Sequence, residues 1–202
     1  MKTIEKAIVL GLILSILFSI TSFEGRCENI SEKVLRLHIL ANSDSENDQK
    51  LKLNVRDKIL GCSKDYLSTA QNKDDAKILS SNYLNSIKEV AEKEVKNEGY
   101  DYPIKVELCN MYFNTREYDN ITMPAGRYDA LRVLIGEGKG HNWWCVMFPP
   151  ICLGAAKEEK KLDSVLNKNE LDVVENGQEY EIKFKIVELF ETFRDWIYSF
   201  WG

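Results

Sequence analysis

Several features that would assign a function quickly are missing from these 202 residues. No block of lysines and arginines runs along the chain, and the formal net charge is −5, which argues against nucleic acid as a partner. The cysteines have no C-x-x-C spacing, so zinc and thioredoxin-like chemistry lack support. Internal repeats and low-complexity linkers are absent. The length of 202 residues fits one domain plus a short leader, and a hydrophobic fraction of 44% is normal for a globular protein.

Histidine is scarce, which limits the sites that can be proposed. His38 and His141 are the two histidines of the chain. The acidic residues that follow His38 stand at a predicted helix start, where carboxylates favour the helix dipole, so a metal site is not predicted there. No nucleophile elbow is present, and the glycines at 136–140 lack the GK[ST] ending of a phosphate loop. We therefore predict no catalytic residue, no cofactor and no metal. A rival hypothesis is an exported hydrolase that uses Cys145 or Cys152 with His38.

The N-terminus is different in kind from the rest of the chain. Lys2 and Lys6 precede Ala7–Ile20, which carries no charge. A basic start before a short apolar run is typical of an export signal, and the run is somewhat short for a helix that spans a bilayer. Ile20-Thr21-Ser22 is a weak cleavage site. Residues 1–26 are thus predicted to be a signal peptide or an N-terminal anchor, and residues 27–202 the exported domain.

The five cysteines include one pair with suggestive spacing. Cys145 and Cys152 flank a Pro-Pro step, and a short loop closed by a disulfide is reasonable there once the chain has left the cytosol. The alternative is that both are small buried hydrophobic residues. Sequence cannot decide the pairing.

Hydrophobic periodicity predicts a single-domain α+β fold with a mixed or antiparallel sheet, helices on one face and a helical C-terminal tail. The predicted strands are Val34–Leu40, Ile104–Phe113, Tyr128–Ile135, Trp143–Phe148 and Tyr180–Phe184, with a hairpin joining the third and fourth. In the first strand, Arg36 and His38 are predicted to share one face. The predicted helices are Glu46–Leu60, Asp74–Lys96 and a tail from Ile186. Ser43 and Ser45 both have capping-box spacing at the start of the first helix, which Gly61 ends and in which Lys52 is on the solvent side. The apolar stripe of that tail is expected to cover the sheet, with a membrane or a second protein as the alternative.

Two runs of sequence are specific enough to indicate a family. LRLHILANSDSENDQKLKLNVRDKIL at Leu35–Leu60 and AGRYDALRVLIGEGKGHNWWCVMFPPIC at Ala125–Cys152 resemble stage II sporulation protein R of endospore-forming bacteria. The best-matched part is 34–153. The resemblance implies a protein made in the forespore and exported into the space between the forespore and mother-cell membranes. It also implies a partner there, the membrane-embedded aspartic protease called stage II sporulation protein GA, which removes the pro-sequence of sigma-E. It implies no catalytic residues for this chain.

We expect the recognition surface to combine a polar loop, Asn42–Gln49, with the glycine-rich and tryptophan-containing segment Gly136–Trp144. Both are denser in polar, aromatic or conformationally special residues than folding requires, and loops carry recognition. The candidate interaction residues are Asn42, Ser43, Asp44, Ser45, Asp48, Gln49, Gly136, Gly138, Gly140, Trp143 and Trp144.

Overall fold

A computed structural model describes residues 2–118, 120–151 and 162–201. Within those ranges the chain forms helices, two sheets and one 3₁₀ turn. In chain order the elements are α1 (Lys2–Lys33), β1 (Leu35–Leu40), α2 (Glu46–Leu67), α3 (Lys73–Asn82), α4 (Leu84–Asn97), β2 (Ile104–Phe113), β3 (Arg116–Tyr118), β4 (Ile121–Met123), β5 (Gly126–Ile135), β6 (Asn142–Phe148), α5 (Lys168–Glu175), the 3₁₀ turn (Gly177–Tyr180) and α6 (Glu181–Trp201).

The predicted α+β class with a mixed sheet is confirmed. The main sheet has the order β2-β5-β1-β6, in which β1 runs parallel to β5 and antiparallel to β6. The predicted hairpin between β5 and β6 is wrong, because β1 lies between them. The glycine-rich connection therefore passes over the carboxyl end of β1, and its six residues are long enough to step across one intervening strand.

The chain divides into two compact units, which we describe separately. The first, here called the sheet unit, comprises Glu32–Met111 and Tyr128–Leu166. Alternate residues of β1, Leu35, Leu37 and Ile39, are fully buried in one core with residues of α2, α3 and α4. Because successive strand residues point to opposite faces, Arg36 and His38 lie on the other face, as predicted.

Two helices of the sheet unit differ from their predicted extents. Ser45 caps α2 as predicted, by accepting a hydrogen bond from the Asp48 backbone. Gly61 does not end this helix, which continues to Leu67 because Tyr66 and Leu67 add buried surface to the core. The second predicted helix is interrupted at Tyr83, whose ring stacks on that of Tyr66 with centroids 4.6 Å apart. In both places a tertiary contact outweighs the local signal.

The second unit, here called the terminal unit, comprises Met1–Ser31, Tyr112–Arg127 and Asn167–Gly202. It contains the small sheet β3-β4, α5, the 3₁₀ turn and α6. The strand predicted at Tyr180–Phe184 is wrong, because these residues end the turn and begin α6. Phe23 contacts both Tyr180 and Phe184, with ring centroids 5.3 and 5.2 Å away. Helical geometry brings residues four apart onto one face within reach of one ring, whereas a strand would separate them by about 13 Å.

Helix α1 has two parts with different surroundings. Its residues 3–19 are exposed and largely apolar, and by length and composition the helix could cross a membrane. From Phe23 onwards the helix is part of the folded protein, since Phe23, Cys27 and Ile30 are buried. The apolar segment is therefore joined to the terminal unit by a continuous helix.

Candidate interaction surface

The two segments predicted to form a surface lie against each other at the carboxyl end of β1. We call residues 41–49 and 136–142 the paired loops. The amide N–H of Gly140 donates to the Ala41 carbonyl at 2.9 Å, and that of Lys139 donates to the Asn42 carbonyl at 3.2 Å. The Asn42 side-chain carbonyl accepts from the Glu137 amide at 3.0 Å. Backbone-directed bonds of this kind hold both loops in one arrangement.

Asp48 is the buried centre of the first loop. Only 4% of Asp48 is exposed, and one of its carboxylate oxygens accepts from the Ser43 hydroxyl at 2.6 Å and the Asn42 amide at 2.9 Å. Burial by itself would raise the pKa of Asp48. Hydrogen bonds from Ser43, Asn42, Tyr102 and Ser45 outweigh that effect and hold the pKa below its usual value. Asp48 is thus a charged anchor inside the loop rather than a group on its surface.

The three predicted glycines serve two different purposes. Gly136 and Gly138 have φ of +60° and +61°, the left-handed region in which glycine is favoured. Gly140 is not in that region. It is required for close approach instead, because a Cβ there would lie 2.1 Å from the Ser43 carbonyl oxygen.

Lys52 is a site residue that sequence reasoning missed. The periodicity predicts Lys52 on the solvent side of α2, yet only 4% of it is exposed. Its ammonium group donates to the Gln49 side chain at 2.6 Å and to the His141 carbonyl at 2.9 Å, so it bridges the paired loops. Burial lowers its pKa, with the Asp44 charge opposing that effect and Arg56 adding to it. No local signal marks Lys52, because its acceptor comes from a loop 89 residues away.

The exposed rim of the paired loops carries charges of both signs. The Asp44 carboxylate accepts from the His141 backbone at 2.6 Å and lies 2.5 Å from the His141 ring nitrogen, with both side chains more than half exposed. Glu137 and Lys139 form a second exposed pair at 2.6 Å. A partner can reach these four side chains, and Ser45, Glu46, Asn47 and Asn142 are exposed as well.

The two tryptophans lie on opposite faces of β6, as strand geometry requires, and both are half-buried. Trp144 is paired with His38 in the sheet and stacks on its ring, with centroids 3.9 Å apart and planes 3° from parallel. On the other face, the Arg56 guanidinium lies over the Trp143 ring, 4.9 Å from its centroid. The tryptophans therefore brace the strand that carries the second loop.

His38 makes the stability of this region depend on pH. Its Nε2 lies 2.6 Å from the Asn142 side-chain oxygen, and burial lowers its pKa, an effect that the Asn142 hydrogen bond opposes and Arg132 reinforces. The unfolded chain therefore takes up a proton at higher pH than the folded chain, and stability falls as pH drops below about 6.5.

We expect urea unfolding to show a lower midpoint at about pH 5.5 than at about pH 7.5, and the difference to shrink in His38→Phe. An equal difference in the variant would contradict this assignment.

The predicted disulfide and the rival nucleophile involve the same residues. Cys145 is disulfide-bonded, whereas Cys27, Cys62 and Cys109 are free. Cys152 lies outside the described residues, so its pairing stays a prediction. Cys145 is paired with Leu37 in the sheet and shares its core, on the face opposite to His38. The proposed pair of Cys145 with His38 is therefore not formed.

Comparisons with known proteins agree on one family. The family model described as stage II sporulation protein R matches residues 31–158, which include both paired loops. The stage II sporulation protein R of Bacillus subtilis (strain 168) is 34% identical over 180 residues, which are 79% of this chain and 80% of that protein. No solved structure matches.

Proposed function

This chain belongs to the stage II sporulation protein R family, and from that premise we propose that it is an exported signal between the compartments of a sporulating cell. It acts in the space between the forespore and mother-cell membranes. There it activates the membrane-embedded protease that processes pro-sigma-E, stage II sporulation protein GA, and it does so by binding rather than by chemistry of its own. The apolar part of α1 supplies the export signal or anchor.

The observation that carries this proposal is the rigid pairing of two loops 95 residues apart in the chain. Both loops lie within the residues that the family model matches. Buried Asp48 of the first loop and buried Lys52 of α2 hold the loops in place, and the exposed groups of the loops lie on the rim. A preorganised polar rim lowers the entropic cost of binding and supports recognition by a protein partner.

The direct test is reconstitution of the full chain with the protease and pro-sigma-E in membranes. Processing of pro-sigma-E that begins only when the chain is added would support the proposal. A folded chain that leaves pro-sigma-E intact under these conditions would contradict direct activation. The full chain is used because Phe23, which precedes the predicted domain start, is buried in the terminal unit.

A charge exchange on the rim tests whether the paired loops make the contact. Glu137→Lys together with Lys139→Glu keeps the exposed pair and the net charge but reverses the local field. We expect processing to fall about ten-fold at low salt, because rim charges chiefly set the association rate. The same exchange at the exposed pair Lys88 and Glu92 on α4 is the control and should change processing little. Equal effects of the two exchanges would remove the paired loops from the interface.

A further inference from the structure

Helix α6 exposes an apolar row that the fold does not bury. Ile182, Leu189 and Trp196 are 77%, 71% and 56% exposed. They are spaced by seven residues, so they fall within about 40° of one another around the helix axis. Phe190 and Ile197 are partly exposed beside them. The apolar stripe predicted to cover the sheet includes Phe190, Trp196 and Ile197, and these three side chains are exposed. Such exposure of large apolar side chains is the opposite of core formation.

The other sides of α6 are already in use. Phe184 and Val187 are buried, and Phe184 is in contact with Phe23 of α1. The Glu188 carboxylate accepts from the Thr115 backbone at 2.9 Å. The helix is therefore fixed to the terminal unit along one side, and the apolar row is held pointing away from that side.

The charges of α6 are arranged around the row in a particular order. Lys185 lies about 60° from Ile182 around the helix axis, at one edge of the row. Lys183 lies about 100° from Ile182 in the other direction, toward the side on which Phe184 and Val187 are buried. Glu181 and Glu188 lie farther round than Lys185, and Glu188 is held by the Thr115 backbone. A basic residue at the edge of an apolar face reaches lipid phosphates while its stem covers acyl chains.

The position of α6 in the terminal unit agrees with this order. Phe23, where α1 turns from exposed to buried, contacts the residues that precede and begin α6. Arg26 and Lys183 both lie over the rings of Phe23 and Tyr180 at 5.4 to 5.8 Å. The twenty exposed or nearly exposed residues before Phe23 would span about 30 Å, the thickness of the hydrocarbon core.

From these observations we infer that α6 is a lipid-binding helix, which lies in the headgroup region of the membrane that α1 enters, with Ile182, Leu189 and Trp196 among the acyl chains. This contact does not depend on which protein receives the signal. It also holds the terminal unit at the bilayer whether or not the segment before Phe23 is removed, because α6 is at the other end of the chain.

The experiment uses the full chain in phosphatidylcholine nanodiscs, with its four tryptophans replaced biosynthetically by 5-fluorotryptophan. A nitroxide on the upper acyl chain broadens the fluorine resonance of any ring near it, and Trp196→Phe identifies the resonance in question. We expect broadening of Trp196 to exceed that of Trp143 and Trp144, which are half-buried in the sheet unit. Broadening no greater than theirs would overturn the inference.

A matched pair of substitutions tests whether lipid or a second copy of the chain covers the apolar row of α6. Leu189→Lys places a charge in the row, and Thr192→Lys places the same charge at another exposed position of the same helix. The first should reduce the lipid-bound population about ten-fold and the second should leave it nearly unchanged. Broadening that persists in Leu189→Lys would overturn the inference. So would two chains in each disc with Trp196 shielded from the nitroxide, which would instead identify a second copy as the occupant.

Discussion

Asp48→Ala is expected to destabilise the sheet unit by about 3 kcal/mol. This is the largest effect that we expect from any single substitution in the paired loops. The substitution removes a buried carboxylate and leaves the Ser43 hydroxyl and the Asn42 amide without their acceptor. Both donors are part-buried, and a donor that loses its acceptor there keeps much of the cost of leaving water, so the loss exceeds that of an ordinary hydrogen bond. Because Asn42 also accepts from the second loop, we expect processing of pro-sigma-E to fall with stability.

Chemical denaturation of the wild type and two variants measures this effect. Asp57→Ala removes an exposed carboxylate from the same helix and should change the free energy of unfolding by no more than about 0.5 kcal/mol. The pH dependence gives a second reading. The folded pKa of Asp48 is lowered, so its contribution is present above about pH 4 and is lost as pH falls through the folded pKa. If Asp48→Ala unfolds like Asp57→Ala, the carboxylate does not hold the loop.

Gly140→Ala is expected to abolish signalling by separating the paired loops. The added Cβ would lie 2.1 Å from the Ser43 carbonyl oxygen and 2.5 Å from its carbon, and backbone atoms cannot rotate away as a side chain can. The second loop must move, which breaks the bonds from Gly140 to Ala41 and from Lys139 to Asn42. We expect a stability loss of about 2 kcal/mol and at least a ten-fold fall in processing.

Gly61→Ala is the matched control for the same chemical change. Nothing lies within 4 Å of the position that a Cβ would take at Gly61, and the residue is inside α2. Alanine there should stabilise the protein by roughly 0.5–1 kcal/mol and leave processing intact. Thermal unfolding and the reconstituted processing assay, both run well below the melting temperature, compare the two variants. Full activity of Gly140→Ala would show that the loops need not touch in order to signal.

Local features of this fold follow from sequence, and its pairings do not. The cap at Ser45 and the alternation of Leu35, Leu37 and Ile39 rest on neighbours within a few residues, and both were predicted. The position of β1 between β5 and β6 depends on partners about a hundred residues away, which no periodicity reports. Tyr180 and Phe184 fit a strand and a helix equally well by spacing, and contact with Phe23 decides for the helix.

The candidate site shows the same division. The composition of both loops marked them as unusual, and the structure brings them together. Which of their residues are buried could not be read from type, because Asp48 and Lys52 are ordinary surface residues elsewhere. Lys52 becomes interior because the opposite loop supplies the His141 carbonyl, and Asp48 because Asn42, Ser43, Ser45 and Tyr102 surround its carboxylate.

Because β1 lies between β5 and β6, which come much later in the chain, the main sheet can form only when that later part of the chain is present. In a chain that crosses a membrane from its N-terminus, residues 41–49 emerge early, and their partners follow 95 to 99 positions later. Until that later stretch has arrived, β1 lacks both neighbours and the first loop has nothing to close against. If the chain signals as we propose, a truncated or half-translocated chain would stay inactive, because its paired loops could not form.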